Sequence, residues 1–290
     1  MADIKVTDVR EKAGDAAFLI DNGTTSIMYD SGFAFTGYKV ADRIKSILGK
    51  RQLDYIFLTH SHYDHALGSV YAKRYYPDTK VVAGEYAAKI FAKPSAKALM
   101  RELDKKFAKK CGVYEYEDLI DELSVDIPVC DGDIIKAGEL EFKVISLPGH
   151  TKCSVGFYES GLKLLLGCET LGVFNGKDDI VPSYLVGYKT TMNSIERVLG
   201  LDIESIVVPH YGLITGDTAK LYLKKSYETT KKTTEDFVAL MKEGKSNADI
   251  LQVFKDRFYH GEIINAYPID AMTLNVGIMT DLIRREFDIQ

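Results

Sequence analysis

At 290 residues, 46% of them hydrophobic, the chain is long enough for one large domain or two small ones around a sizeable core. Its 37 Lys and Arg against 42 Asp and Glu leave a net charge of −5, which argues against a nucleic-acid ligand, because phosphate backbones call for a concentrated positive face. No run of about 18 apolar residues occurs, so no membrane span is expected, and the start Met1-Ala2-Asp3-Ile4-Lys5-Val6 lacks the basic-then-apolar order of a secretory signal.

The four cysteines, Cys111, Cys130, Cys153 and Cys168, form no C-x-x-C pair and read as reduced thiols of a cytoplasmic protein. In chain order, residues 16–21 and 26–30 read as two strands joined through Asn22-Gly23, a strong hairpin signal. Helical spacing covers 40–48, and the apolar run 54–59 predicts a buried strand that ends at His60. A helix over 68–75, a strand over 80–83 and a helix over 85–91 follow. Residues 94–122 are charged and read as mostly helical, either an insertion over a site or a solvated helical pair. Strands are then expected at 134–135, 140–146, 154–158 and 163–166, a helix at 192–199 and a short strand at 205–208. From Thr218 the pattern is helical, most clearly over 247–258 and 272–285. This places a main domain at 1–217 and a helical extension at 218–290, packed on the same domain.

The strongest chemical signal is Thr59-His60-Ser61-His62-Tyr63-Asp64-His65. Three of the chain's six histidines and a carboxylate fall in this one stretch, directly after a predicted strand. Imidazole nitrogen and carboxylate oxygen together suit zinc, iron or manganese. His150 and His210 also follow predicted strands, in Leu147-Pro148-Gly149-His150-Thr151 and Val208-Pro209-His210-Tyr211-Gly212, and only His260 stands apart.

This set, H-x-H-x-D-H, then P-G-H-T, then an acidic residue after a strand, then a late His, resembles the metallo-β-lactamase superfamily. Asp30-Ser31-Gly32 is similar to that family's early turn, and the resemblance spans about residues 5–215. It implies a four-layer αββα sandwich of α/β class with appended C-terminal helices. It also implies two divalent metal ions, zinc or iron with manganese as a third option. His60, His62 and His150 would hold one ion, and Asp64, His65 and His210 the other. An acidic residue would bridge them. The family has Asp at that position; here Glu169 is the favoured match, with Cys168 as the alternative.

The activity so implied is hydrolysis of a small ester-like bond (thioester, lactone or phosphodiester) by a metal-bound hydroxide, with Asp64 steering its proton. Asp30 and Thr59 lie near these loops as candidates to orient the imidazoles. Tyr63, Tyr184, Tyr188, Lys189 and Tyr211 are candidate contacts to a small-molecule substrate. The C-terminal helices would cover the mouth of the site or pair two subunits. Two other readings stay open. One is diiron redox chemistry, since Glu169-Thr170-Leu171-Gly172 is similar to a segment of flavodiiron oxygen and nitric oxide reductases, although no flavin loop follows. The other is a metal-containing ligand-binding protein without turnover.

Overall fold

The computed structural model of the chain describes residues 4–289; residues 1–3 of the start considered above lie outside the described residues. The described residues form two compact units, 4–146 with Phe157–Glu159, and Leu147–Gly156 with 160–289. The C-terminal helices belong to the same unit as the segments that follow Leu147.

The first unit runs β1 (Lys5–Asp8), β2 (Phe18–Asp21), β3 (Ser26–Tyr29), α1 (Gly37–Leu48), β4 (Tyr55–Leu58), α2 (Tyr63–Ala66), α3 (Ser69–Tyr75), β5 (Lys80–Gly84), α4 (Glu85–Phe91), α5 (Pro94–Lys110), β6 (Ile127–Val129), β7 (Ile134–Ala137) and β8 (Leu140–Ser146). Its six first strands form one sheet in chain order. β1, β2 and β3 pair antiparallel, and β3 to β6 pair parallel. Parallel strands are covered on both faces and so read as unbroken apolar runs; Ile56, Phe57 and Leu58 of β4 are fully buried. β7 and β8 form an antiparallel pair, and in β8 Leu140, Phe142 and Val144 face inward while Glu141 and Lys143 face solvent. The Phe57 ring lies 5.3 Å from that of Phe142 and 4.6 Å from that of Phe157, at the centre of this unit's core.

Residues 94–122 do not form a helical pair. They form the single helix α5, then a loop ending in a short 3-10 turn at Ile120–Glu122. Gly112, at φ 78°, takes the left-handed conformation that stops a helix. Beyond it the side chains make tertiary rather than helical bonds: Tyr116 donates to Asp104, and Asp118 pairs with Arg101.

The second unit shares β9 (Val155–Glu159) with the first and continues with β10 (Leu164–Leu166), a 3-10 turn at Glu169–Leu171, β11 (Val173–Phe174), β12 (Ile180–Val181), α6 (Tyr188–Leu199), β13 (Ser205–Val208), β14 (Gly212–Thr215), α7 (Gly216–Lys242), α8 (Asn247–Phe258), α9 (Ile263–Ala266) and α10 (Ile269–Glu286). β10 pairs parallel with β13, and β13 pairs antiparallel with β14. The helices bury a common core of Tyr184, Phe237, Phe254, Phe258, Met272 and Met279. Ser246 starts α8 with a capping box, its hydroxyl accepting from the Asp249 backbone while the Asp249 carboxylate accepts from its own. No described helix is long and apolar enough to cross a membrane.

Candidate metal centre

In the first unit the ligand-type residues leave the end of β4. His60 lies in a bend two residues past the strand, His62 precedes α2, and Asp64 and His65 sit on that one-turn helix. The His60 ring centroid lies 4.6 Å from that of His62 and 4.0 Å from that of His65, and His65 Nε2 is 3.7 Å from Asp64 Oδ2. His60 and His65 are fully buried, while His62 and Asp64 are half-buried.

One carboxylate organises two of these imidazoles. Asp30 Oδ1 accepts the Thr59 backbone N–H at 2.8 Å, and Asp30 Oδ2 lies 2.8 Å from His65 Nδ1. The Thr59 hydroxyl donates to Asp30 Oδ2 at 2.9 Å, so its oxygen is left to accept from His60 Nδ1, also at 2.9 Å. A carboxylate only accepts, which makes the hydroxyl the donor and puts a proton on both Nδ1 atoms. Both Nε2 atoms then carry the lone pairs that a metal requires. Asp30 holds this position at φ 48°, an uncommon backbone conformation for a non-glycine residue.

The neighbouring turn is fastened to α2. Ser31 N–H and its hydroxyl both donate to the His65 carbonyl, at 2.7 and 2.8 Å. A Cβ on Gly68 would collide with the Ser31 carbonyl oxygen, so only glycine lets the turn approach this closely.

In the second unit three distant segments meet. The Glu169 carboxylate, at the first residue of its 3-10 turn, lies 3.0 Å from His150 Nε2 and 3.6 Å from His210 Nε2. All three side chains are at least nine-tenths buried. Thr170 Oγ1 accepts the His150 backbone N–H at 3.0 Å and donates to the Leu147 carbonyl at 2.7 Å, tying the 147–151 turn to the Glu169 turn. His150 Nδ1 donates to the Ser183 carbonyl at 2.9 Å. That ring thus faces an acceptor at each nitrogen, a carbonyl on one side and a carboxylate on the other. Such a ring suits a cation at Nε2, and the Glu169 carboxylate, within reach of both His150 and His210, adds an oxygen donor of the kind that fits a metal ion. His210 itself has φ 63°, a second strained non-glycine residue among these side chains.

The residues expected at the substrate fare differently. Tyr63 is half-buried, its ring 5.6 Å from that of Phe33 in an aromatic cluster with Phe35, Phe107 and Tyr116. Tyr211 is half-buried and edge-on to Phe174 at 4.7 Å. Tyr184 is not on a rim: it is fully buried in the helical core, with its hydroxyl 2.8 Å from Thr234 Oγ1. Tyr188 and Lys189 open α6, and their backbone N–H groups donate to the Glu286 carboxylate at 2.7 and 3.0 Å.

Sequence reasoning missed two buried acids beneath the Asp30 turn. Asp15 accepts from Phe33 N–H at 2.9 Å and from the Thr36 hydroxyl at 3.1 Å, and Asp104 accepts from Ala34 N–H at 2.9 Å. Desolvation outweighs these bonds and pushes each carboxyl up to about 6. Lone acids in a loop and on a charged helix carry no periodic signal, so only their burial singles them out.

The family model of the metallo-β-lactamase superfamily matches residues 15–210. The chain belongs to that superfamily and has its α/β fold, with additional C-terminal helices. It is 26% identical over 267 residues to "Glyoxylase B2" of Dictyostelium discoideum, covering 89% of this chain and 82% of that protein. A second relative, the "Probable hydroxyacylglutathione hydrolase" of Schizosaccharomyces pombe, is 27% identical over 119 residues, 40% of this chain and 33% of that one. Among solved structures, a metallo-β-lactamase family protein of Thermus thermophilus superposes with a TM-score of 0.66 at 16% identity, covering 99% of this chain and 93% of its own.

Proposed function

We propose that the protein is a metal-dependent hydrolase of a small ester-like bond, and that a thioester is its substrate class. The observation that carries this is the similarity, over 89% of the chain, to a protein named as a glyoxylase, alongside a second relative named for hydrolysis of an acylglutathione, a thioester. The donor chemistry supports it: each unit presents buried imidazoles beside a carboxylate, and those at His60, His65 and His150 have their Nδ1 atoms engaged.

In this reading His60, His62 and His150 hold one divalent ion, zinc or iron. Asp64, His65 and His210 would hold a second, with Glu169 as the carboxylate available to both. The family match includes all seven residues. Such ions supply polarisation of the scissile carbonyl and an activated water at neutral pH. Asp64 would serve as the proton acceptor, and Tyr63 and Tyr211 would be the side chains offered to the acyl or thiol portion of the substrate.

The test combines metal analysis with turnover on a panel of thioesters, lactones and phosphodiesters, for the wild type and His62→Ala. The expected result is about two ions per chain, preference for the thioesters, and loss of at least ~100-fold in turnover in the variant, or roughly 3 kcal/mol of transition-state stabilisation. Full thioester turnover in His62→Ala, or in chelated protein, would overturn the reading.

A further inference from the structure

The C-terminal helices touch the segment that fixes His150. Residues 183–189 form a strap between β12 and the first turn of α6. On one side the strap holds the 147–151 turn: Leu185 and Val186 N–H both donate to the Gly149 carbonyl at 2.9 Å, and the Ser183 carbonyl accepts His150 Nδ1 at 2.9 Å. The Ser183 hydroxyl is also within 3.1 Å of that nitrogen.

On the other side the strap is held by the chain after Gly216. Tyr184 is seated in the helical core against Thr234 of α7. The Tyr267 hydroxyl, just past α9, lies 3.5 Å from the Ser183 hydroxyl and receives Asn275 Nδ2 of α10 at 2.5 Å. Since Asn275 donates, the Tyr267 proton is directed elsewhere, and Ser183 Oγ is an acceptor in reach. The Glu286 carboxylate at the end of α10 caps α6 through Tyr188 and Lys189 N–H. A negative group there meets the positive end of the helix dipole as well as two orphan donors. This approach is tight: a Cβ on Gly187 would stand 2.7 Å from Glu286 Oε1.

We infer that the C-terminal helices are a clasp for a metal ligand: Tyr267 and Glu286 are positioning residues that hold the strap so that the Ser183 carbonyl fixes the tautomer and ring plane of His150. The inference rests on His150 being a ligand, as proposed above. It predicts that residues remote in sequence and absent from the ligand set control metal affinity.

The experiment uses the full chain as wild type, Tyr267→Phe, Glu286→Ala and, as a control for general destabilisation, Phe254→Leu in the same helical core. Zinc affinity is read by competition with a chromophoric chelator, and the histidine ring nitrogens of metal-free protein are read by NMR. Tyr267→Phe is expected to weaken zinc about threefold and Glu286→Ala about tenfold. Both should speed exchange of the His150 Nδ1 proton and leave that of His65, which Asp30 holds, unchanged. Phe254→Leu should lower the unfolding midpoint without either effect. Unchanged affinity and exchange in both strap variants overturn the inference, as does an equal loss of affinity in Phe254→Leu. A wild type that binds neither zinc nor iron overturns the proposed function too, and that failure is read before any variant is compared.

Discussion

The two units prepare their histidines by different means. In the first, ligand-type residues are packed into one stretch after β4, and a buried side chain, Asp30, sets both His60 and His65. In the second, His150, Glu169 and His210 come from separate segments, and His150 is set by a backbone carbonyl whose position depends on α6 and the C-terminal helices. A side-chain acceptor can be deleted by one substitution. A backbone acceptor can only be displaced, by loosening what holds it. The first half is therefore locally encoded and brittle at one residue, whereas the second is spread over many residues and yields by degrees.

The largest effect is expected where a ligand itself goes. His150→Ala should lose one ion and on the order of 1000-fold in turnover, checked by metal analysis and steady-state kinetics. If metal content and activity both survive, the ligand assignment is wrong. Asp30→Ala comes next. It frees two tautomers and orphans the buried Thr59 N–H, so metal affinity should fall roughly 10–100-fold and stability by about 2–3 kcal/mol, read by zinc competition and urea unfolding. Normal affinity there would show that the side-chain device is dispensable. At the third step, Glu169→Ala should lower two-ion occupancy more than Cys168→Ala does; the reverse order would move the bridge to Cys168.

A smaller effect concerns pH. Asp15 and Asp104 titrate near 6 in the folded chain because burial disfavours their charge, against about 3.9 in the unfolded chain. Folded protein then binds more protons between those values, so this contribution is full below about pH 4 and is lost as pH rises through about 6. Asp104→Asn should remove part of that slope, and its stability relative to wild type should improve by on the order of 2 kcal/mol from pH 4 to pH 7. Urea midpoints across that range decide it, and parallel curves would place the titration elsewhere. The smallest effect is predicted for Ser183→Ala. It keeps the carbonyl that accepts His150 Nδ1 and removes a hydroxyl 3.1 Å from that nitrogen and 3.5 Å from the Tyr267 hydroxyl, so zinc affinity should fall by about threefold, as in Tyr267→Phe. A loss as large as that of Asp30→Ala would erase the contrast between the two halves.

Much of the fold was legible because its signals are local. The apolar run before His60, the inward–outward alternation of 140–146 and the helix at 247–258 each correspond to an observed element. Short or edge pieces escaped: β1, β11, β12 and β14 have two to four residues each, too few for a period to register. The extent of 94–122 as helix was overread because charge and helical spacing continue past Gly112, where the chain turns to tertiary bonds. The burial of Tyr184 was not legible because a tyrosine in a loop looks the same whether its ring faces solvent or the helical core; only packing decides.

The sequence by itself determined the donor chemistry. Imidazoles and carboxylates at fixed short spacings after strand-forming runs constrain one another through the backbone alone, so H-x-H-x-D-H and P-G-H-T speak without any partner. Tertiary structure decided what those donors lean on. Asp30 reaches His65, Glu169 reaches both His150 and His210, and Glu286 caps α6 across 97 and 98 positions of chain. Such meetings are set by apolar packing, which asks of each residue only size and hydrophobicity, and so leaves no pattern from which the polar contacts could be read in advance.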